Sequence, residues 1–476
     1  MNGLYSPFNP SEASGSNTGS GRGASNPVKF RIVGETNGIR ITTEGDRAAG
    51  RPSGVVLTCL HYPGGMLDVL WGLGGVAVLI GLGLLLSVNR RAVNWRTVGL
   101  ALLLQLAFAV IVLRWPLGRR ALDGVSTAVQ GVVGNAQEGI NFVFGNLTNG
   151  ALDGAGFIFA FGVLPIIVFF SALIAVLYHL GIMQAVVRFL GGGLSRLLQT
   201  SRGESLSATA NIFVGQTEAP LVVRPFIERM TRSELFAVMV GGLASVAGSV
   251  LVGYSLLGVR LDYLIAASFM AAPAGLLMAK LIFPETEPTQ DYKGDIPEDP
   301  EGRPVNVIDA AARGASSGLG LALNVGAMLI AFIGLIALLN GLIGLIGGLV
   351  GAPDLSIQLL LGYLFAPLAF LIGVPWESAT TAGSFIGQKL VTNEFVAFVE
   401  FAETLKAGGV SPKVEAIVTF ALCGFANLSS LAILLGGLGS LAPSRRPDIA
   451  QLGLRAVAAG TLANLLSATL AGMLLG

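Results

Sequence analysis

Long uncharged runs, beginning at about residue 69, constrain the fold of this chain most strongly. A helix needs roughly 20 apolar residues to cross the hydrocarbon core of a bilayer. The chain is 53% hydrophobic and only 12% charged, about half the charged fraction of a typical soluble domain. We therefore expect an all-α polytopic membrane protein. Its eight predicted spans are about 69–88, 97–113, 157–180, 235–257, 263–283, 318–345, 414–436 and 456–476.

The segments outside these spans are of three kinds. Residues 1–66 are rich in Gly, Ser, Asn and Arg and lack a helical period, which predicts a disordered N-terminal tail. Residues 121–150 are moderately polar and periodic, as in a helix that lies along the membrane interface. The apolar stretches 203–223 and 357–394 are interrupted by Pro, Gly and acidic residues. We expect these two stretches to form re-entrant hairpins and not full crossings.

The composition argues against several classes of function. The net charge is +1, so no nucleic acid polymer is implied as a partner. Cys59 and Cys423 lie far apart, and His61 and His179 are the only histidines, so neither a disulfide framework nor a metal-ligand spacing can be built. An intramembrane enzyme would need a nucleophile with a base, a metal cluster or paired aspartates. We expect no enzymatic activity and no organic cofactor.

Residues 211–220 place an amide, a hydroxyl and a carboxylate inside an apolar membrane sequence. A carboxylate such as Glu218 is costly at bilayer depth unless it faces partners or a water-filled cavity, so it marks a pathway or a site. Gly215 and Pro220 both weaken regular helix. Irregular backbone survives at that depth only where protein or cavity water satisfies it. The segment therefore predicts a hairpin tip that holds a polar ligand.

Two units with the same order of elements predict an inverted repeat. In the first half, the acidic hairpin is followed by a short loop and a span interrupted by Gly241–Ser245. In the second half, a hairpin with Glu394 is followed by a loop and a span interrupted by Gly424–Ser430. A closing span completes each unit. Many secondary transporters hold their substrate near the midplane between such repeats.

Basic residues near the spans indicate the orientation, because basic loops prefer the cytoplasm. Five basic groups fall on one side if the chain crosses eight times with both termini outside. Arg114, Arg119 and Arg120 fall on the other side. This topology puts the base of the first hairpin in the cytoplasm and the base of the second outside. The expected location is the inner or plasma membrane, with multiple passes through the lipid bilayer.

The hairpin residues indicate the chemistry of the ligand. Glu218 and Glu394 accept hydrogen bonds when ionised, while Gln216 and Asn427 both donate and accept. Lys389 is the only basic residue near the tips, so an anionic substrate is not expected. A neutral, polyhydroxylated or heterocyclic solute fits these groups better. Every polar atom of such a solute that loses its hydrogen bond to water on binding needs a replacement partner in the protein.

A structural role remains open for the neutral members of this set. Gln216, Thr217 and Ser430, taken singly, could equally bond neighbouring helices, since such contacts hold membrane helices together. Carboxylates are poor at that task, which favours a functional role for the two glutamates. Asn211 and Ser245 offer oxygen ligands for a cation, although Asn211 could also cap a half-helix.

Several separated motifs resemble the concentrative nucleoside transporters. Residues 204–221 (ESLSATANIFVGQTEAPL) are similar to the first-hairpin signature of that family, and 387–398 (GQKLVTNEFVAF) to its second signature. Residues 306–314 (NVIDAAARG), 424–430 (GFANLSS) and 441–446 (LAPSRR) resemble three further stretches. Leu428 stands where many relatives have phenylalanine. The resemblance runs from about residue 67 to the C-terminus and leaves the first 66 residues outside it.

The resemblance implies a homotrimer whose protomers each import nucleosides of the uridine, cytidine and adenosine class, driven by a sodium or proton gradient. It implies scaffold helices and an interfacial helix at 67–185, a first repeat at 186–283, an acidic loop and long scaffold helix at 284–350, and a second repeat at 351–476. The two repeats would form the mobile transport unit. A nucleoside-binding sensor or channel remains an alternative, because binding groups alone do not establish movement.

The resemblance also assigns roles to individual residues. Contacts to the nucleobase are implied for Gln216, Thr217 and Glu218, with Val250 packing on the base. Hydrogen bonds to the ribose are implied for Glu394, Asn427 and Ser430. Sodium ligands are implied for the side chains of Asn211 and Ser245 and the backbone carbonyls of Val214 and Val246. We prefer sodium to a proton because both candidate side-chain ligands are present and hard cations favour oxygen donors.

Overall fold

The computed structural model of the chain describes residues 30–35, 38–43, 56–57, 64–148, 158–289, 304–349, 351–352 and 354–475. Its internal contacts divide it into two units, Met1–Gly64 and Gly65–Gly476. In the first unit, strands β1 (Phe30–Glu35), β2 (Gly38–Thr43) and β3 (Val56–Leu57) pair antiparallel in that order. At these residues the sheet differs from the predicted disordered tail, whereas the rest of residues 1–63 lies outside the described residues. Its first two strands are rich in β-branched residues, which favour extended backbone.

Every regular element in the described part of the second unit is helical. The α-helices are α1 (Gly64–Leu86), α2 (Trp95–Leu113), α3 (Pro116–Phe144), α4 (Phe159–Gly162), α5 (Leu164–His179), α6 (Ile182–Leu198), α7 (Arg202–Ala210), α8 (Arg224–Ile227), α9 (Arg232–Ala244), α10 (Gly248–Leu256), α11 (Leu261–Ile282), α12 (Val307–Leu349), α13 (Ile357–Leu371), α14 (Trp376–Val391), α15 (Glu394–Ala407), α16 (Pro412–Leu422), α17 (Leu428–Leu441) and α18 (Arg446–Leu475).

Seven segments among the described residues are long and apolar enough to cross a membrane, which confirms seven of the eight predicted spans. They are Leu67–Leu86, Trp95–Leu113, Phe159–His179, Arg232–Leu256, Leu261–Ile282, Val307–Leu349 and Pro443–Leu475. The eighth predicted span, 414–436, forms two shorter helices, α16 and α17, separated by residues 423–427. This break overlaps the interruption that the sequence predicted at Gly424–Ser430, and Asn427 caps the second helix.

The chain reverses direction twice at the predicted hairpins. After α7, it turns and returns through a 3-10 segment, Ala219–Val223, that packs against α7. In the second half, α14 packs against α15 across the break at residues 392–393. The predicted bounds of the second hairpin, 357–394, enclose α13 and α14, which pack against each other. These two helices meet at a bend of 115°, whereas Glu394 is the first residue of α15.

Three segments form the buried centre of the second unit. In an apolar window of 18 residues, 94% of the residues are buried in Arg232–Leu256 and in α11, and 83% in the segment that contains α18. Helix α18 packs against α9, α11 and α16, so it contacts an interrupted helix from each half. By contrast, the span at α12 is only 6% buried, which is consistent with a helix that faces lipid or another chain. The predicted interfacial helix at 121–150 corresponds to α3, which starts earlier because Pro116 occupies its first turn.

Candidate functional site

Glu394 lies at the N-terminal end of α15 and is buried. The preceding residue, Asn393, caps this helix by accepting a hydrogen bond from the backbone N–H of Val396 at 2.9 Å. One oxygen of the Glu394 carboxylate, Oε1, accepts from the hydroxyl of Tyr254 at 3.1 Å. The other, Oε2, accepts from Nδ2 of Asn427 at 2.8 Å. The carboxylate is therefore fixed by two donors and by the favourable end of a helix dipole.

Asn427 is held in one orientation by the helix that it caps. Its Oδ1 accepts from the backbone N–H of Ser430 at 2.8 Å and from the hydroxyl of Ser429 at 2.7 Å. Since Oδ1 faces these donors, Nδ2 is left to face Glu394. The structure thus brings together three of the predicted substrate residues: Glu394, Asn427 and Ser430.

Tyr254 is a member of this cluster that the sequence analysis missed. It lies on α10, is fully buried, and stacks on Phe398 with ring centroids 4.2 Å apart. It follows the predicted residue Val250 by four positions, so both side chains lie on the same face of α10. A tyrosine inside an apolar span usually finds a partner for its hydroxyl. That requirement, together with the spacing from Val250, was the available signal.

The first hairpin brings Asn211 and Gln216 against α9. A Cβ atom built on Gly242 would lie 2.9 Å from Cβ of Gln216 and 3.7 Å from Oδ1 of Asn211. Only glycine permits this close approach. Asn211 donates through Nδ2 to the carbonyl of Ser207 at 2.9 Å. Its Oδ1, and Oε1 of Gln216, are buried and have no hydrogen-bond partner among the described residues.

The interruption between α9 and α10 contacts both halves of the protein. The backbone N–H of Gly248 donates to the carbonyl of Phe213 in the first hairpin at 3.1 Å. The backbone N–H of Phe425, between α16 and α17, donates to the carbonyl of Ser245 at 3.1 Å. The two helix interruptions therefore meet, as the repeat predicts for a shared site. The hydroxyl of Ser245 donates to the carbonyl of Gly241 at 2.9 Å.

Glu218 faces a different environment from Glu394. It is exposed and lines a cavity of about 590 Å³ together with Val214 and Gly215. Other walls of this cavity come from α5, α6, α12 and the start of α10, at Ala247 and Ser249. Within the described residues, the cavity lining includes neither Glu394 nor Asn427. The two glutamates therefore do not line this cavity together.

Thr217 connects the first hairpin to the helix that carries Ser430. A Cβ atom built on Gly437 of α17 would lie 2.6 Å from Cγ2 of Thr217. Ser430 and Gly437 are seven residues apart and so share a face of α17, separated by about 10 Å. Thr217 thus contacts the same helix as the Glu394 cluster, two turns further along.

The predicted sodium ligands provide neutral oxygens. The oxygen Oδ1 of Asn211 is buried and unpaired, and Ser245 uses its hydroxyl hydrogen but keeps its lone pairs. Both carbonyl-bearing residues, Val214 and Val246, are buried beside irregular backbone. No cluster of three or more His, Cys, Asp or Glu residues is found within the described ranges. An uncharged oxygen set of this kind fits a hard monovalent cation.

A helical membrane protein in which each half contains a chain reversal, an interrupted helix and a long helix has the architecture of a secondary transporter. Three family profiles match the chain: "Na+ dependent nucleoside transporter N-terminus" at residues 74–147, "Nucleoside recognition" at 160–259, and "Na+ dependent nucleoside transporter C-terminus" at 263–472.

Individual relatives agree with these profiles. The nucleoside permease NupC of Helicobacter pylori is 50% identical over 86% of this chain and 98% of its own length. The structure of CNTnw in an inward-facing substrate-bound state has a TM-score of 0.82 and 56% identity over 86% of this chain and 98% of that chain. A double variant of CNTnw in an outward-facing state has a TM-score of 0.84 and 55% identity over 86% and 99%. The chain belongs to the concentrative nucleoside transporter family, whose members are multi-pass membrane transporters and not enzymes.

Proposed function

We propose that this protein is a secondary active symporter that imports nucleosides, including uridine, cytidine and adenosine, down a sodium gradient. The observation that carries the proposal is the buried cluster of Glu394, Asn427 and Tyr254. Each carboxylate oxygen can accept a second hydrogen bond. The cluster therefore retains acceptor sites for a pair of donors, and the vicinal hydroxyls of a ribose supply such a pair.

The ribose side of the proposed site is Glu394, Asn427 and Ser430. Binding removes water from the sugar hydroxyls, so an acceptor that is already oriented compensates for that loss with little ordering entropy. The fixed geometry of Asn427, held by the α17 backbone, supports this role. A free base lacks the sugar hydroxyls and would leave these acceptors unfilled.

The base side of the proposed site is Gln216, Thr217 and Glu218, with Val250 packing on the ring. Gln216 has an unpaired buried oxygen, and a ring N–H or exocyclic amine is a suitable donor for it. Glu218 faces a cavity large enough to admit water, so its contact with a base is expected to run directly or through water. Val250 lies on the same face of α10 as Tyr254, which contacts Glu394.

The proposed sodium site consists of Asn211 and Ser245 with the carbonyls of Val214 and Val246. Its support is the unpaired oxygen of Asn211 and the position of the interruption at the C-terminal end of α9. A cation beside a helix C-terminus is also favoured by the helix dipole. The family profiles carry the words "Na+ dependent", which supports the same ion here.

Alternating access is the proposed mechanism of transport. The relative CNTnw has been captured facing both inward and outward. We infer that the repeats at 186–283 and 351–476 move as a unit against the scaffold at 67–185 and 284–350. The exposed apolar surface of α12 supports a homotrimer in which that helix contacts its copies. We further infer an inner or plasma membrane location with both termini outside.

An uptake assay tests the proposal directly. Purified protein is reconstituted in proteoliposomes, and radiolabelled uridine and adenosine uptake is measured with the sodium and pH gradients varied independently. The expected result is uphill accumulation that requires inward sodium and is insensitive to the pH gradient. Accumulation that follows pH and ignores sodium would establish proton coupling instead. Purely downhill flux would identify a channel, and binding without flux a sensor.

A further inference from the structure

Asn464, in the middle of α18, contacts the interrupted helices of both repeats. Its side-chain Nδ2 donates to the carbonyl of Ala244 at 2.6 Å and to the carbonyl of Cys423 at 3.0 Å. Its Oδ1 accepts from Nζ of Lys389 at 2.8 Å. Lys389 also donates to the carbonyl of Ala421 at 2.7 Å. Both ends of one buried amide are thus directed at two helix ends and a lysine.

These bonds satisfy backbone carbonyls that lose their intrahelical partners where a helix is interrupted. The last carbonyls of a helix have no intrahelical partner, and an unpaired carbonyl is costly away from water. Ala244 is the last residue of α9, and Ala421 and Cys423 lie at the end of α16. Asn464 and Lys389 supply donors to both ends, so one pair of side chains satisfies one interruption in each half.

Lys389 determines which way the amide of Asn464 points. A lysine ammonium group has donors only, so it must face Oδ1 and leave Nδ2 toward the two carbonyls. Lys389 is itself only 2% exposed. Its charge lies at the C-terminal end of α16, where the helix dipole favours a cation. Lys389 is on α14, one turn before the break that leads to Glu394.

The packing around Asn464 leaves no room for adjustment. A Cβ atom built on Gly424 would lie 2.2 Å from Oδ1 of Asn464. Gly460, one turn earlier on α18, would place a Cβ atom 2.9 Å from Leu243 and 3.1 Å from Ala426. Helix α18 therefore packs closely against both interruptions, so that a shift of one interruption changes the space available to the other.

We propose that Asn464 and Lys389 are positioning residues that mechanically join the proposed ion site to the proposed nucleoside site. The α9 interruption holds Ser245 and Val246, and the α16 interruption holds Asn427. Sodium that orders the first interruption thereby orders the second, and nucleoside affinity rises with sodium occupancy. This inference rests on the proposed sodium-coupled nucleoside transport, and its test separates the two.

The first test measures the coupling between the ligands. Asn464→Asp keeps the shape of the side chain and an acceptor for Lys389, but it cannot donate to the two carbonyls. Uridine dissociation constants are measured by isothermal titration in detergent, with and without saturating sodium. The ratio of the two constants in the unmodified protein is the coupling factor. We expect Asn464→Asp to reduce this factor about tenfold, within the usual range of coupling between sites.

Ser467→Ala is the matched control. Ser467 lies three residues further along α18, is equally buried, and accepts a hydrogen bond from Gln105 at 2.8 Å. Its hydroxyl also donates to the carbonyl of Ala463 within α18 at 3.1 Å, so the change removes two buried hydrogen bonds without touching either interruption. The coupling factor is expected to remain that of the unmodified protein, even if the melting temperature falls. If Asn464→Asp also lowers only the melting temperature and keeps the full coupling factor, the proposal is overturned.

The second test does not depend on sodium or nucleoside. Hydrogen exchange of the ligand-free protein is followed at residues 245–248 and 423–428. Asn464→Asp is expected to speed exchange at both interruptions together, and Gly424→Ala, whose Cβ needs the space of the Asn464 amide, to do the same. Faster exchange at one interruption alone, or at neither, refutes the proposal that Asn464 and Lys389 join the two interruptions. If sodium has no effect on the uridine affinity of the unmodified protein, the proposed ion coupling fails. The exchange experiment still tests whether Asn464 and Lys389 join the two interruptions.

Discussion

The two halves of the proposed site differ in how completely their polar groups are already paired. In the second half, both oxygens of Glu394 accept hydrogen bonds from protein donors, and the amide of Asn427 is used at both ends. In the first half, Oδ1 of Asn211 and Oε1 of Gln216 are buried without a partner in the described structure. Buried polar groups are normally paired, so these two oxygens are available to accept a hydrogen bond or to ligate a cation.

This difference indicates a division of labour between the halves. Hydrogen bonds and helix caps fix the acceptors of the second half. If the proposed roles hold, we expect the oxygens of the first half to be paired by the bound ion or substrate. Ligand binding is therefore expected to change the order of the first hairpin more than that of α15 and α17. A ligand shifts a conformational equilibrium only through such differential interactions.

Replacing Glu394 by Gln should disrupt the half of the site whose polar groups are already paired. We expect it to have the largest effect on uridine affinity. The amide would turn a donor toward either Asn427 or Tyr254 and would remove the charge that strengthens bonds to sugar hydroxyls. We expect uridine affinity to fall by about 100-fold or more, corresponding to about 3 kcal/mol for two charge-assisted hydrogen bonds. Isothermal titration at saturating sodium measures the affinity, and size-exclusion chromatography checks that assembly is unchanged.

The exposed Glu403, on the same helix, provides the control for this change. Glu403→Gln removes an identical charge from α15 outside the proposed site and should leave uridine affinity within about twofold, as is usual for surface substitutions. An unchanged affinity in Glu394→Gln would remove Glu394 from the ribose site and with it the observation that carries the proposed function.

The sequence predicts the membrane helices better than their interruptions. Hydropathy reports where apolar residues are continuous, and seven long spans were placed on that basis. It does not report where backbone hydrogen bonding stops. The break within 414–436 was predicted from the polar stretch Gly424–Ser430 and lies at residues 423–427, but Asn427 was not recognised there as a cap. The end of α14 was not predicted, because the turn at residues 392–393 contains no Gly or Pro to mark it.

The candidate site was predictable in its chemistry but not in its pairing. Glu394 and Asn427 stood out because polar groups in apolar sequence need partners. Their contact joins residues 33 positions apart, and the bond from Tyr254 to Glu394 spans 140 positions. No local pattern encodes such distances. The role of Lys389 was hidden for the same reason, because its partner Asn464 lies on the last helix.

Replacing Asn211 by Ala tests the first half of the proposed site, in which the buried oxygens are unpaired. The change removes the unpaired Oδ1 and one proposed sodium ligand. We expect the sodium concentration for half-maximal uptake to rise about tenfold, since one ligand to a charged group contributes about 1.5 kcal/mol. Uridine affinity at saturating sodium should change little.

Thr209→Val controls for the loss of a buried polar group on the same helix. Its hydroxyl donates to the carbonyl of Ser205 within α7 at 2.8 Å and contacts neither interruption. It should leave the sodium dependence as it is. Equal sodium responses in the Asn211 and Thr209 variants would mean that Asn211 serves only as a cap of α7.

Thr217→Val tests the smallest expected difference, between a binding role and a packing role at the hairpin tip. Valine keeps the methyl group that contacts Gly437 and removes only the hydroxyl. If the hydroxyl contacts the base, uridine affinity should fall about threefold to tenfold, the usual range for one neutral hydrogen bond of 0.5–1.5 kcal/mol. Gly437→Ala is the complementary change, because its Cβ would displace the Thr217 side chain without removing the hydroxyl group. A loss of affinity in Gly437→Ala with none in Thr217→Val would mean that Thr217 acts through shape alone, and the direct contacts to the base would then rest on Gln216 and Glu218.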